Sequence, residues 1–394
     1  MERCPLARGK RCRKRVHEIA RRRLRNGPRA KRPPAFDGAS QDSLLRRNVT
    51  AKHIQVGNRA VGDGAPCFIV AEVGSNHNQD FDMARRLIDA AAKAGADAVK
   101  FQTFRAAEHY SRKTPGFSYL ESQDTFSLIK SLELNRDWHA PLKQHAETCG
   151  IEFFSSPCDA EAIAELERLG APAYKVASFD LPDTGLINRM ATTGKPVILS
   201  TGMADMDDVR RGVEACKAAK NDQIVLLQCT SLYPAPAELT NLRAMETLRD
   251  AFDCLVGYSD HTRGDHITIA AVTRGACLVE KHFTLDRNQP GPDHPFAIHP
   301  DELADMVHRV REVEAAIGDG IKAGPRDEER EMYEKGRRSL HASRDIAAGE
   351  SIAKDMLTVK RPGYGIPPHE AEKVIGCVAK VDIKADQWIT WDMV

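Results

Sequence analysis

Eight short apolar runs, each closing on a polar tip, constrain this chain more than any other feature. They are CFIVAEV (67–73), AVKFQT (98–103), IEFFSSP (151–157), AYKVAS (173–178), PVILST (196–201), IVLLQCT (224–230), CLVGYSD (254–260) and CLVEKHF (277–283). Helical patterns lie between them. Two of these, MARRLIDAAAKAGA and AEAIAELERLGA, carry a glycine just past the last periodic residue, as helix ends commonly do. Eight β-α units spaced mostly by about 22–30 residues have the count and pitch of a closed (β/α)8 barrel, the TIM barrel. The C-terminal strand ends of such a barrel share one rim, where ligands bind. The longer gap at 104–150 predicts a loop with one or two helices over that mouth. Tyr110, Phe117 and Tyr119 there are candidate lid residues, or ordinary packing. Before the first run, IQVGNRAVGDG from Ile54 predicts a short hairpin with a D-G turn.

The last two runs each end on a histidine, His261 in S-D-H-T and His282 in E-K-H-F. Their spacing of 21 residues suits one β-α repeat and not a helical H-x-x-x-H pair. One imidazole at each of two neighbouring strand ends can hold a divalent ion between them. Either histidine alone reads as a strand cap bonded to backbone; two at equivalent places beside acids favour the metal.

The tips supply an inventory for one pocket: Glu72, Asn76 and His77; Lys100 and Gln102; Ser155 and Ser156; Lys175, Ser178 and Asp180; Ser200 and Thr201. Thr230, Ser231, Tyr233, Ser259, Asp260, His261, Glu280, Lys281 and His282 complete it. Lys100 and Lys175 lie inside apolar strands, where an ammonium is costly unless it meets an anion. Two lysines with several hydroxyls suit a phosphate and a carboxylate, and a metal suits a carbonyl that needs polarising. The rival chemistry is a metal-free aldolase with a Schiff-base lysine. The strand-end histidines argue for the metal.

Charge divides the chain. Residues 1–50 carry a net +12 and the remainder −11. The basic leader (1–53) has little to bury and repels itself, so disorder is expected; contact with RNA or an anionic membrane, a targeting role, or an upstream start codon are alternatives. No run of about 18 apolar residues is present, so no membrane span is expected. The leader lacks an apolar signal core, and the ten cysteines are scattered with no C-x-x-C pair, which points to reduced thiols in the cytoplasm. Cys158 and Cys229 near strand ends read as packing. The barrel is expected at 54–317, a charged Gly/Pro-bearing linker at 318–336, and a small, mostly β domain at 337–394. So small a core is marginal alone and is expected to dock on a barrel.

The ordered motifs A-E-V-G-S-N-H-N, A-V-K-F-Q-T-F, Y-K-V-A-S, L-S-T-G-M, C-T-S-L-Y-P, S-D-H-T, E-K-H-F, G-P-D-H and V-K-R-P-G resemble those of the sialic acid synthase family over 54–394. The resemblance implies a TIM barrel followed by an antifreeze-like (SAF) domain. It implies condensation of phosphoenolpyruvate with an N-acetylated amino sugar to a nine-carbon 2-keto acid. The expected acceptor is N-acetylmannosamine, which would make a transferase, N-acetylneuraminate synthase. A diacetamido-trideoxyhexose, as in legionaminic or pseudaminic acid synthases, is the alternative.

By the same resemblance, His261 and His282 match metal ligands. Lys100, Ser156, Lys175, Ser178, Ser200, Ser231 and Ser259 match positions around phosphoenolpyruvate, and Glu72, Tyr233 and Asp293 positions around the sugar. Gln102 belongs with them from its place on the second tip. Arg361 matches an arginine that the small domain inserts into the partner's barrel in a domain-swapped homodimer. Mn2+ is the expected ion, with Mg2+ or Co2+ also suited. Phe179–Asp180 and Ser75 depart from the pattern: Asp180 stands where a sugar-contacting Glu is common, and Ser75 where Ile is common. Ice binding through 337–394, or RNA binding through the leader, is the non-enzymatic reading, and neither accounts for polar tips on all eight strands.

Overall fold

A computed structural model describes residues 52–117 and 124–394. Residues 1–51 of the expected leader and Tyr119 lie outside the described residues; Lys52 and His53 are described, and His53 opens the first strand. Eight strands close into one parallel barrel. They are β3 (Phe68–Gly74), β4 (Ala98–Thr103), β5 (Glu152–Pro157), β6 (Tyr174–Val176), β7 (Val197–Ser200), β8 (Ile224–Cys229), β9 (Leu255–Asp260) and β10 (Leu278–His282), with β10 pairing back onto β3. Each strand is followed by an outer helix: α1 (Phe81–Lys93), α4 (His139–Thr148), α5 (Ala160–Arg168), α6 (Thr184–Thr192), α7 (Met206–Ala218), α8 (Ala244–Phe252), α9 (His266–Thr273) and α10 (Pro300–Ile317). The glycines past α1 and α5, Gly95 and Gly170, sit at φ +88° and +68°, a conformation that costs other residues a Cβ clash.

Alternation sorts each strand into two faces. Ile69, Ala71, Val99, Phe101, Phe153, Leu199, Leu226 and Val279 face outward under the helices. Phe68, Val70, Ala98, Phe154, Ala173, Ile198, Val225, Leu227, Leu255 and Leu278 face inward and fill the lower barrel. Gly257 belongs to this interior, where a Cβ would lie 2.3 Å from the Leu278 carbonyl oxygen. An antiparallel hairpin, β1 (His53–Val56) and β2 (Arg59–Gly62), adds Ile54, Val56 and Val61 to this cluster and so plugs the barrel floor. Its turn is Gly57–Asn58, not the D-G pair, which follows β2. Gly57 takes φ +59°, and the Glu152 carboxylate accepts the Asn58 N–H at 3.0 Å, so the shorter loop has both the glycine and a partner for its backbone.

Over the mouth, the segment after β4 forms the two helices α2 (Ala106–His109) and α3 (Thr125–Ser131) before the outer helix α4, as expected. The stretch expected as linker ends in a helix, α11 (Arg330–Gly336). Beyond it, β11 (Ser339–Ala342) pairs antiparallel with β12 (Leu357–Lys360), and a short helix α12 (Ala371–Val374) follows. This unit has its own core, including Leu340, Ile346, Ile352, Ile366, Ile383 and Ile389. Among the described residues, no helix is long and apolar enough to cross a membrane.

Candidate active site

Two residues farther along each inward row, the apolar filling gives way to polar groups. Val70 is followed inward by Glu72, Ala98 by Lys100 and Gln102, Phe154 by Ser156, and Ala173 by Lys175. Ile198 is followed by Ser200, Leu227 by Cys229, and Leu278 by Glu280 and His282. These groups line one cleft at the C-terminal mouth, with Ser178, Asp180, Tyr233, Ser259, His261 and Asp293. Thirteen of the fifteen sequence-selected site residues therefore meet. Ser231 stands beside the cleft, near Ser178: a Cβ on Gly202 would touch both hydroxyl oxygens. Arg361 is exposed, and its Nε donates to the Gly336 carbonyl at 2.6 Å.

The wider inventory of tips needs correcting, because several of its residues point away from the cleft. Lys281 Nζ donates to Asp260 Oδ2 at 2.8 Å and to the Thr262 carbonyl, and Asp260 also accepts from Thr268. Ser155 bonds Thr103 and the Phe101 carbonyl. Asn76 donates to the Phe283 carbonyl, and Thr201 to the Leu227 carbonyl. His77 accepts the Gln79 N–H. These side chains join strands and loops to one another rather than facing a ligand.

Glu280, left out of the selected set, sits between the two lysines. Its Oε1 lies 3.7 Å from both Lys100 Nζ and Lys175 Nζ. Its signal was available: it is two positions before His282 and therefore on the same face. Lys100 also contacts Glu72 Oε2 at 2.8 Å and Ser156 Oγ at 3.1 Å. Lys175 donates to Ser200 Oγ at 2.7 Å and to its neighbour's carbonyl at 3.0 Å. The two lysines titrate in opposite directions. Burial pulls Lys100 down, but Glu280 and Glu72 outweigh it and hold the ammonium above its ordinary value. Burial holds Lys175 below its ordinary value, since only Glu280 opposes it strongly. Burial raises Glu72 against the pull of Lys100, and burial with Glu72 beside it pushes Asp293 up to about 6.

The histidine rings stand with centroids 5.3 Å apart. His261 Nδ1 is 2.8 Å from the Thr230 carbonyl, so it carries the proton and leaves Nε2 as a lone pair. His282 Nδ1 is buried with no hydrogen-bond partner, 3.6 Å from Asp293 Oδ2. An orphaned imidazole nitrogen beside a second imidazole and a carboxylate fits a borderline divalent ion. Tyr233 packs against His261 at 4.4 Å between centroids. Cys229, read from sequence as packing, has its thiol 3.8 Å from His261 Nδ1 and lines the cleft.

Part of the lining is apolar: Phe104, Phe117, Leu128, Ile129, Leu132 and Phe179 also face the cleft, and Phe179 is half exposed. Tyr110 and Phe117 thus do face the cleft.

The NeuB family model matches residues 87–322, and the SAF domain model matches 337–394. N,N'-diacetyllegionaminic acid synthase of Campylobacter jejuni is 41% identical over 328 residues, 82% of this chain and 98% of the relative. Human N-acetylneuraminate-9-phosphate synthase is 36% identical over 342 residues, covering 85% and 95% of the two chains. The crystal structure of N-acetylneuraminic acid (sialic acid) synthetase from Leptospira borgpetersenii in complex with citrate superposes with a TM-score of 0.65 at 34% identity, over 71% of this chain and 95% of that one.

Proposed function

Because the chain belongs to the NeuB family, we propose that it condenses phosphoenolpyruvate with an N-acetylated amino sugar, releasing phosphate and forming a nine-carbon 2-keto sugar acid. The observation that carries this reading is the pair of buried lysines, Lys100 and Lys175, each bonded to a serine hydroxyl at the mouth of the barrel. Buried ammonium groups ringed by hydroxyls suit a small phosphorylated carboxylate, and Ser178, Ser200 and Ser259 complete the ring.

His261 and His282, with Asp293 beside them, would hold a divalent ion, Mn2+ by the donor set. When bound, that ion supplies Lewis acidity at the sugar's carbonyl oxygen. The rest is work for the chain. The lysines hold the phosphate and carboxylate of phosphoenolpyruvate and stabilise charge developing around its C2 as C3 bonds to the sugar carbonyl carbon. Glu72 is oriented by Lys100 and by Gln102 Nε2 at 2.7 Å. Burial raises its affinity for a proton, which suits it to take one from the water that adds at C2.

The apolar part of the lining favours an acceptor with a methyl and a second acetamido group, a diacetamido-trideoxyhexose as in legionaminic acid synthesis. Relatives of similar identity include both a legionaminic acid synthase and an N-acetylneuraminate-9-phosphate synthase, so this preference rests on the apolar lining. Arg361 on the small domain is proposed to reach the barrel of a second copy in a twofold exchanged homodimer, its fixed fork of donors facing sugar oxygens. The test is phosphate release from phosphoenolpyruvate with Mn2+ and a panel of both sugar types. Release with the diacetamido sugar and a lower kcat/KM for N-acetylmannosamine is expected. No release with any N-acetylated amino sugar would overturn the assignment.

A further inference from the structure

Three side chains on the rim of the cleft form a second constellation, apart from the paired histidines. His109 ends α2 in the segment over the mouth, Cys158 follows β5, and Asp180 ends the short helical turn Ser178–Asp180 after β6. His109 Nε2 lies 3.6 Å from Asp180 Oδ1, and Cys158 Sγ lies 3.7 Å from Asp180 Oδ2. The three ligand-type atoms all fall within 4.8 Å of one another. The Asp180 carboxylate is 11% exposed, and both His109 and Cys158 stand farther from it than a normal charge-assisted bond. Phe104 and Tyr110 flank the His109 ring and fix its plane.

We propose that His109, Cys158 and Asp180 form a zinc site at the acceptor side of the cleft. Two donors at about 2.0–2.3 Å from a tetrahedral ion stand about 3.3–3.6 Å apart, so the three groups, now within 4.8 Å of one another, need to close only slightly around it. An octahedral oxygen-ligated ion would want closer, harder donors, and a thiolate with an imidazole selects zinc. Three protein ligands leave the fourth position open to the cleft. Burial and Asp180 hold the Cys158 thiol well above its ordinary value, so the free site keeps S–H. Zinc entry forms the Zn–S bond and releases that proton to solvent, so affinity rises with pH.

Two consequences follow, the second resting on the proposed condensation. Bound zinc ties α2 to the strand ends, and it occupies the carboxylate that faces the acceptor. It therefore inhibits competitively with the sugar and not with phosphoenolpyruvate.

A surface cluster of Asp89, His145 and Cys149 offers the same donor types, so the test uses a Cys149→Ser background. Co2+ is the probe, because thiolate ligation gives a near-ultraviolet charge-transfer band whether or not the protein is catalytically active. The band is expected in Cys149→Ser and expected to vanish in Cys149→Ser/Cys158→Ser and to weaken at least tenfold in affinity in Cys149→Ser/His109→Gln. No band in Cys149→Ser, or a band that survives Cys158→Ser, overturns the site. If the band behaves as expected but zinc inhibition is absent because no condensation occurs, the reading of the reaction fails and the metal site stands.

Discussion

Replacing Lys100 and Lys175 separately by methionine should abolish turnover in both cases and change stability in only one. Lys100 is 3% exposed and is the close partner of Glu72, with Glu280 next. Its removal leaves buried Glu72 without its counter-charge and Glu280 with Lys175 alone. Breaking a buried pair in this way costs about 3–5 kcal/mol. Lys175 is as deeply buried, but burial outweighs Glu280 and holds its affinity for a proton below the ordinary value, so methionine relieves desolvation while losing the bond to Ser200. That bond is worth about 1 kcal/mol, and the two effects should cancel to within about 1 kcal/mol. With a urea slope of roughly 3 kcal/mol/M, Lys100→Met should lower the midpoint by about 1–1.7 M and Lys175→Met by less than about 0.3 M. Far-UV circular dichroism in urea measures both. Adding Glu72→Gln to Lys100→Met should recover part of the loss, because it removes one stranded carboxylate. Equal midpoints for the two single variants would refute this charge arrangement, whatever their activity.

Three further outcomes are expected. Chelation should abolish phosphate release and Mn2+ restore it, and His282→Ala should lose metal binding by calorimetry while keeping the wild-type melting temperature within about 2 °C, since a rim side chain adds little core. Mixing Arg361→Ala with Lys100→Ala under subunit exchange should restore part of the activity, because one site of each exchanged dimer carries neither lesion; a dead mixture with exchange confirmed rejects the shared site. His77 has its value lowered to about 4 by burial and by His294, so the unfolded chain takes its proton first, near pH 6.5. Its contribution is thus complete above pH 6.5 and lost as pH falls toward 4, by about 3 kcal/mol in all; His77→Asn should flatten that slope in urea titrations at successive pH values.

The barrel was legible because eight buried runs of similar length leave few alternatives, and because alternation within each run fixes which residues share a face. The same alternation could have divided the polar tips more sharply. Glu280 and His282 face in while Lys281 faces out, and Ser156 faces in while Ser155 bonds Thr103. Listing whole tips mixed ligand-facing groups with groups that join strands. His109 could not be found this way. It comes from the segment between β4 and α4, whose course depends on tertiary packing against Phe104 and Tyr110 and has no period of its own. The hairpin turn went to Asp63–Gly64 because that pair carries a strong turn signal. Gly57–Asn58 prevails because Glu152, 94 residues away, receives the turn's N–H.

The inward rows also explain why the charged layer can exist. Below it, Phe154, Ile198, Leu227 and Leu278 make a dry floor, and the hairpin closes it. Charges above such a floor are poorly screened, so two lysines could not stay there without acids. Glu72 and Glu280 supply them, but unequally: Lys100 has a close carboxylate and Lys175 only a distant one. An entering anion therefore has most to offer Lys175, whose ammonium it stabilises and whose affinity for a proton it raises. Lys100 is already in place before any substrate arrives, holding Glu72 toward Gln102. On the proposed reaction, the two lysines, alike in sequence setting, would divide the work: one orders the site in advance, and the other has most to gain from an anionic substrate.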